Sequence, residues 1–391
     1  MKKRTNQNPK EGTMKRLFAL MVGIAVLLAF ALPASYAQEP IKIGILGVFT
    51  GPASDIGEPM LLGAKLAIEE INAKGGIPCG SVKRKLEPIV IDDENSPSKS
   101  VSGIQRLINK DQVTVVLGPA GSGCALATRQ VANSAKVVMV TPAINDAIFS
   151  SDMPFIFGSA CKWSDQVQGI VDLVAGKYKK FALLHDTSGL GEGGATEFKK
   201  AFAKRGIKVV IEEKFEVNTL NLMPQITRIK NAGADFICAS VVGADAVTIG
   251  KLMKQINYNV PVAGNNGLGM RITLKAADKL EGWIFADTVD GNKPQFKEFI
   301  KKYRARYNTI PTYHPASQAY DAIYGLAKAL EKSKGQGGQA LADAMRSGIT
   351  VNGATCKVGT SFAWSATRKN AIDASQLALW KIHNNDYEML K

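Results

Sequence analysis

The stretch Ile41-Lys42-Ile43-Gly44-Ile45-Leu46-Gly47-Val48, followed by Met60 to Asn72, sets the reading of this chain. The first part is a short, nearly continuous apolar run, as expected of a strand buried on both faces. The second places Leu61, Ala64, Ala67, Ile68 and Ile71 on one helical face and ends just before Gly75-Gly76. The alternation then repeats, with strands predicted over 86–91, 113–117 and 137–140 and helices over 98–109 and 124–133. A second series has strands over 181–184, 209–211, 236–239 and 260–263 and helices over 194–204, 223–231 and 245–256. Helices over 294–306, 316–330 and 339–345 follow, and then short strands ending with 377–382. Apolar strands alternating with amphipathic helices predict an α/β fold of two doubly wound, parallel-sheet lobes. The expected lobes are residues 38–158 plus 288–355 and residues 159–287 plus 356–391, joined by hinge crossings. Trp163 lies at the first of these crossings, between Phe157 and Gln168.

Ahead of this alternation, Lys15-Arg16 precedes an apolar run from Leu17 to Leu32, then Pro33 and Ser35-Tyr36-Ala37. A basic start, a short apolar segment and a small-x-Ala end predict a secretory signal peptide over residues 1–37, cleaved near Ala37. The run of 16 residues is shorter than a membrane span needs. Met14 is a second candidate start. The mature chain is expected outside the cytoplasm.

Residues 38–391 number 354, enough for two domains with separate cores. They carry 43 basic and 33 acidic side chains, a net charge of +10. Lys83-Arg84-Lys85 and Lys301-Lys302 are the densest clusters, without interleaved aromatic residues, which argues against nucleic-acid binding. None of the five cysteines (Cys79, Cys124, Cys161, Cys238, Cys356) forms a CxxC pair, and no histidine among His185, His314 and His383 has metal-ligand spacing. No metal site is expected. Cys238, in an apolar strand, reads as a buried free thiol, while the pairing of the other four stays open.

Two glycine-rich segments follow strands. Gly118-Pro119-Ala120-Gly121-Ser122-Gly123 leads into a helix, where free N–H groups and a hydroxyl form an anion cradle, so Ser122 is a candidate carboxylate ligand. Ala120 and Cys124 stand where a nucleophile elbow needs glycine, which argues against catalysis there. Gly189-Leu190-Gly191-Glu192-Gly193-Gly194 matches GxGxxG, with Glu212 further on as a ribose-binding acid. It supports one alternative, an exported dinucleotide-dependent oxidoreductase. Against it, His185 to Ser188 separate the strand from the first glycine, where that motif needs a tight turn. The leading expectation is a glycine-rich loop at a ligand cleft, with no cofactor.

Together these landmarks resemble the branched-chain amino-acid family of ABC-transporter substrate-binding proteins, of the type I periplasmic-binding fold. The resemblance runs over essentially the whole mature chain. It rests on Ile41-Lys42-Ile43-Gly44 through Phe49-Thr50-Gly51-Pro52, on Ile71-Asn72-Ala73-Lys74-Gly75-Gly76-Ile77 and on Asp92-Asp93. Gly118 to Ser122, Thr141-Pro142, His185-Asp186 with Gly191-Glu192-Gly193, and Pro315 to Leu330 match too. It implies a periplasmic, non-enzymatic, monomeric receptor that captures a small carboxylate between its lobes and passes it to a membrane permease.

By the resemblance, Ser122, Ala143 and Asn145 meet the ligand carboxylate, while Leu190 and Asn266 stand where the family holds an ammonium. Leucine offers no cation–π face and asparagine no full negative charge. An aromatic or aliphatic acid is therefore the expected ligand, with Trp163 and Ile56 packing against its body.

Overall fold

The computed structural model describes residues 38–390 apart from Pro52, Asn218 and Thr312. The signal peptide expected over residues 1–37 lies outside the described residues.

The first lobe is built on β1 (Ile41–Gly47), β4 (Leu86–Asp92), β5 (Val115–Leu117), β6 (Val138–Thr141) and β7 (Ile156–Gly158), with β2 (Ile77–Cys79) and β3 (Val82–Arg84) forming a side hairpin. The main strands lie in the order β4-β1-β5-β6-β7 and every pairing is parallel. The second sheet orders β16-β15-β12-β11-β10-β8-β9. Its parallel part is β8 (Phe181–Asp186), β9 (Val209–Phe215), β10 (Phe236–Ser240), β11 (Val262–Gly264) and β12 (Ile284–Asp287). An antiparallel edge is added by β15 (Ala378–His383) and β16 (Asp386–Met389). A small pair, β13 (Ile349–Val351) with β14 (Phe362–Trp364), completes the strands.

Each sheet is covered on both faces, which is why its strands are apolar throughout rather than alternating. Ile43, Ile45, Val115 and Val140 pack under the helices Ser54–Ala73 and Tyr313–Lys332. Leu46, Val116 and Met139 face the helices Pro97–Asn109 and Ser122–Ser134. In the second sheet Ala182, Leu184, Ile237 and Ala239 face one core, and Phe181, Leu183, Phe236 and Cys238 the other. All five cysteines are buried free thiols, Cys238 among them.

Three expectations change. Where the sequence predicts only a crossing, Trp163–Val174 forms a helix whose Trp163, Val167, Ile170, Val171 and Val174 make one apolar face. The helix predicted from Gly194 begins at Gly189, so the glycine run forms its first turns and is not a loop. The last crossing lies later than the expected boundary between 355 and 356. Cys356, Phe362, Trp364, Ala371 and Ile372 pack in the first lobe's core, and the chain returns to the second sheet only at β15.

The crossings are stitched to one another. Gly158 N donates to Lys369 O (3.0 Å), while Gly158 O accepts from Ala371 N (3.0 Å) and Trp364 Nε1 (2.7 Å). Cys356 N donates to Thr288 O (2.6 Å), and Val358 N to Asp290 Oδ2 (3.1 Å). Buried Lys293 donates through Nζ to Thr360 O (3.0 Å) and to Thr355 O.

Candidate functional site

Strand order reverses between β1 and β5 in one sheet and between β8 and β10 in the other. Ligands of open α/β sheets bind outside the carboxyl ends of the strands at such switch points. Ile56, Ser122, Leu190 and Asn266 follow the carboxyl ends of β1, β5, β8 and β11.

Ser122 is the first residue of its helix. The preceding Gly121 is extended, supplies no side-chain cap, and no acidic residue lies in the first turn. Ser122 is 6% exposed, and its hydroxyl has no partner among the described residues. Several other segment starts around the crevice are closed by side chains, and the uncapped ones at Ser54 and Gly243 carry Asp55 and Asp245 in their first turns. Ser188 Oγ accepts from Leu190 N and Gly191 N (both 3.2 Å). Asn145 Oδ1 accepts from Ala147 N, and Asn265 Oδ1 from Gly267 N (both 2.9 Å). Asp165 Oδ2 accepts from Lys162 N at 3.1 Å. The Ser122 helix thus keeps the unmet N–H groups and positive dipole end that an anion satisfies.

The two lobes meet here. A Cβ on Gly189 would lie 3.1 Å from Gly123 N and 3.2 Å from its Cα, so the two helix starts touch backbone to backbone. Asn145 spans the crevice, its Nδ2 donating to Gly189 O at 2.6 Å. Ala143 N donates to Thr141 Oγ1 at 3.0 Å, so this main-chain donor is already engaged. Trp163 is fully buried, packs edge-on against Phe198 and donates from Nε1 to Leu190 O at 3.0 Å. It therefore props up the Leu190 wall from behind. Ile56 lies half-buried in the first turn of helix Ser54–Ala73. Asn266 is 7% exposed, its N–H donates to Gln166 Oε1 at 3.0 Å, and its side-chain amide has no partner among the described residues.

The arrangement does not suit a dinucleotide. Glu212, the expected ribose acid, pairs with Lys199 (2.8 Å) and His185 (3.2 Å). A Cβ at Gly194 would meet Ser240 Oγ and the Trp163 ring within 2.7 Å, so that glycine serves helix packing. His314 is buried and paired through Nδ1 with Asp287 Oδ2 at 3.0 Å.

Sequence reasoning missed Gln166 and Asp245. Gln166 sits one turn beyond Trp163 on a helix that was not predicted. Asp245, in the first turn of helix Gly243–Gln255, has no hydrogen-bond or ion-pair partner among the described residues. Burial, and then the neighbouring Asp186 carboxylate, push the Asp245 carboxyl up to about 6. A folded-state value above the unfolded one favours the native state while the group is protonated. That contribution is complete below about pH 4, the ordinary aspartate range, and is lost as pH rises through 6. Asp245→Asn is therefore expected to stabilise the protein by about 1 kcal/mol near pH 8, after allowance for solvent screening, and by nothing near pH 4. Urea denaturation at the two pH values checks this. An equal effect at both would show that Asp245 carries no such penalty.

The family model described as periplasmic binding protein matches residues 40–385. A Pseudomonas aeruginosa protein named leucine-, isoleucine-, valine-, threonine-, and alanine-binding protein is 31% identical, covering 86% of this chain and 89% of the relative. The branched-chain amino acid transporter substrate binding protein of Streptococcus pneumoniae, solved with isoleucine, is similar in structure. Its TM-score is 0.77 at 25% identity, over 90% of this chain and 99% of that one. An R. palustris ABC-transporter solute binding protein, solved with benzoate, has a TM-score of 0.75 at 20% identity, over 90% and 95%. The chain belongs to the periplasmic binding protein family, among the branched-chain amino-acid-type substrate-binding proteins of ABC transporters.

Proposed function

We propose that this receptor captures a small carboxylate with a neutral aliphatic or aromatic body, closes its lobes over it and presents it to a membrane permease. It acts as a monomer in the periplasm, after removal of a signal peptide near Ala37, and breaks no bond. The uncapped, acid-free start of the Ser122 helix carries the reading: the helix starts at Ser54 and Gly243 are also uncapped but hold Asp55 and Asp245 in their first turns, which repel an anion. Ser122 anchors the carboxylate end, with Asn145 beside it and Ala143, its N–H taken by Thr141, only shaping the wall; Leu190, Asn266 and Ile56 surround the body, with Trp163 behind Leu190. Closure gains its free energy from contacts that the ligand makes to both lobes.

A second reading is uptake of branched-chain amino acids. The name of the Pseudomonas relative and the unpartnered Asp245 favour it. The fold itself holds isoleucine in one relative and benzoate in another, so it does not decide the ligand's second group. A thermal-shift panel of amino acids and their deaminated analogues separates the two. A larger Tm rise with 4-methylpentanoate or benzoate than with leucine is expected, and the reverse would return the ligand to the branched-chain amino acids. Ser122→Ala is expected to weaken the best-bound acid by about 1 to 3 kcal/mol, as for loss of a hydrogen bond to a charged group. Unchanged affinity by calorimetry would remove Ser122 as the anchor.

A further inference from the structure

Near the carboxyl end of β11 lie three side-chain amides, two with half-complete hydrogen bonding and one with none. Gln166 is fully buried, its Oε1 accepts from Asn266 N at 3.0 Å, and its Nε2 has only the buried Cys161 thiol beside it. Asn265 is 1% exposed, its Oδ1 accepts from Gly267 N at 2.9 Å, and its Nδ2 has no partner. A backbone N–H needs an oxygen opposite it, so in both residues the contact fixes which end of the amide is which. The acceptor ends are engaged, and the donor ends face no oxygen acceptor. Asn266, at 7% exposure, has a wholly unpartnered amide among the described residues. Buried donors without acceptors are uncommon in folded proteins and call for a ligand or bridging water.

Asn265 and Asn266 follow the carboxyl end of β11, and Gln166 holds the Asn266 backbone. Gln166 stands one turn from Trp163, Trp163 holds Leu190 O, and the adjacent Gly189 abuts Gly123 beside Ser122. The neighbouring carboxylates are engaged elsewhere. Asp287 accepts from Thr288 N (2.5 Å) and pairs with His314, and Asp186 accepts from Ser188 N (2.7 Å) and Ser188 Oγ.

We infer that the ligand carries a second hydrogen-bond acceptor besides its carboxylate, a 2-oxo or hydroxyl oxygen, received by the side-chain amide of Asn266. The inference rests on the carboxylate reading above. An amide N–H stabilises an oxygen, while an amide oxygen alone, without a carboxylate, does not offset the charge of a buried ammonium. Asp245 is the carboxylate that would hold an amine instead.

Calorimetry on the purified receptor with two matched series tests this: 4-methylpentanoate, 4-methyl-2-oxopentanoate and leucine; then 3-phenylpropanoate, phenylpyruvate and phenylalanine. In the series whose body fits, the oxo acid is expected to bind about tenfold more tightly than the plain acid, as for one buried hydrogen bond, with the amino acid weakest. Asn266→Leu is expected to lower the oxo acid to the affinity of the plain acid. A cooperative urea unfolding transition shows that the variant is folded. Ser122→Ala is expected to weaken both acids by the same factor. Equal binding of oxo and plain acids overturns this inference alone. Tightest binding by the amino acid, abolished by Asp245→Asn, overturns it in favour of amine recognition. No binding in either series, or both acids unaffected by Ser122→Ala, overturns the carboxylate reading and this inference together.

Discussion

Asp321→Ala is expected to destabilise the protein by about 3 to 5 kcal/mol, the range for breaking a buried, charged hydrogen-bond network. Asp321 lies in helix Tyr313–Lys332 with no exposure to solvent. Its Oδ1 accepts from Ala354 N (2.9 Å), and its Oδ2 accepts from Thr355 N (2.7 Å) and Thr355 Oγ1 (2.5 Å). Burial pushes its carboxyl upward, against these bonds and the charge of Lys293. Truncation leaves two buried N–H groups without acceptors and Lys293 without this charge nearby. Because Lys293 also donates to Thr355 O, and Cys356 pairs with Val289 just past the second crossing, the damage falls beside that hinge segment. Asp321→Asn keeps one acceptor and is expected to cost about half as much. Urea denaturation of both variants measures the effect. A loss under about 1 kcal/mol for alanine, the size of one ordinary net hydrogen bond, would mean that the hinge does not depend on this carboxylate.

Trp163→Ala should be comparably severe for stability, at about 3 to 5 kcal/mol for a fully buried indole, and worse for binding. The ring fills the space under Gly193 and Gly194 and touches Phe198, while its N–H holds Leu190 O. Without it the first turns of the Gly189 helix lose the support that sets Leu190 opposite Ser122. Ligand affinity is expected to fall by more than about tenfold, beyond the change in stability, since misplaced contacts lose binding steeply. Trp163→Phe keeps most of the packing and removes the N–H, with an expected loss of about 1 kcal/mol. If Trp163→Ala bound the ligand normally at a temperature where it is folded, the indole would be a core residue only.

The strands were legible because burial on both faces leaves an apolar run that periodicity cannot miss, as in Ile41–Gly47 and Phe236–Ser240. Ser122 was legible for a local reason, a glycine-flanked hydroxyl between a strand and a helix. What escaped depends on contacts distant in sequence. Helix Trp163–Val174 has the correct apolar spacing, but its position at a crossing masked it. The glycines 189–194 read as a loop because glycine is a poor helix former. Tertiary packing overrides that propensity, since Gly189 must approach Gly123 and Gly194 must clear Trp163 and Ser240. Asp245 and Gln166 gave no signal. A lone acid after a strand and a polar residue in an unpredicted helix gain meaning only when Asp186 and Asn266 are brought beside them.

Native mass spectrometry of the purified receptor beside Ser122→Ala puts the central claim to its most direct test. The account predicts that the wild-type protein carries a bound small molecule that fragments as a carboxylic acid without a primary amine, and that the variant has lost it. A bound molecule lacking a carboxyl group, or equal occupancy in the variant, would contradict a receptor that anchors its ligand's carboxylate at the start of the Ser122 helix.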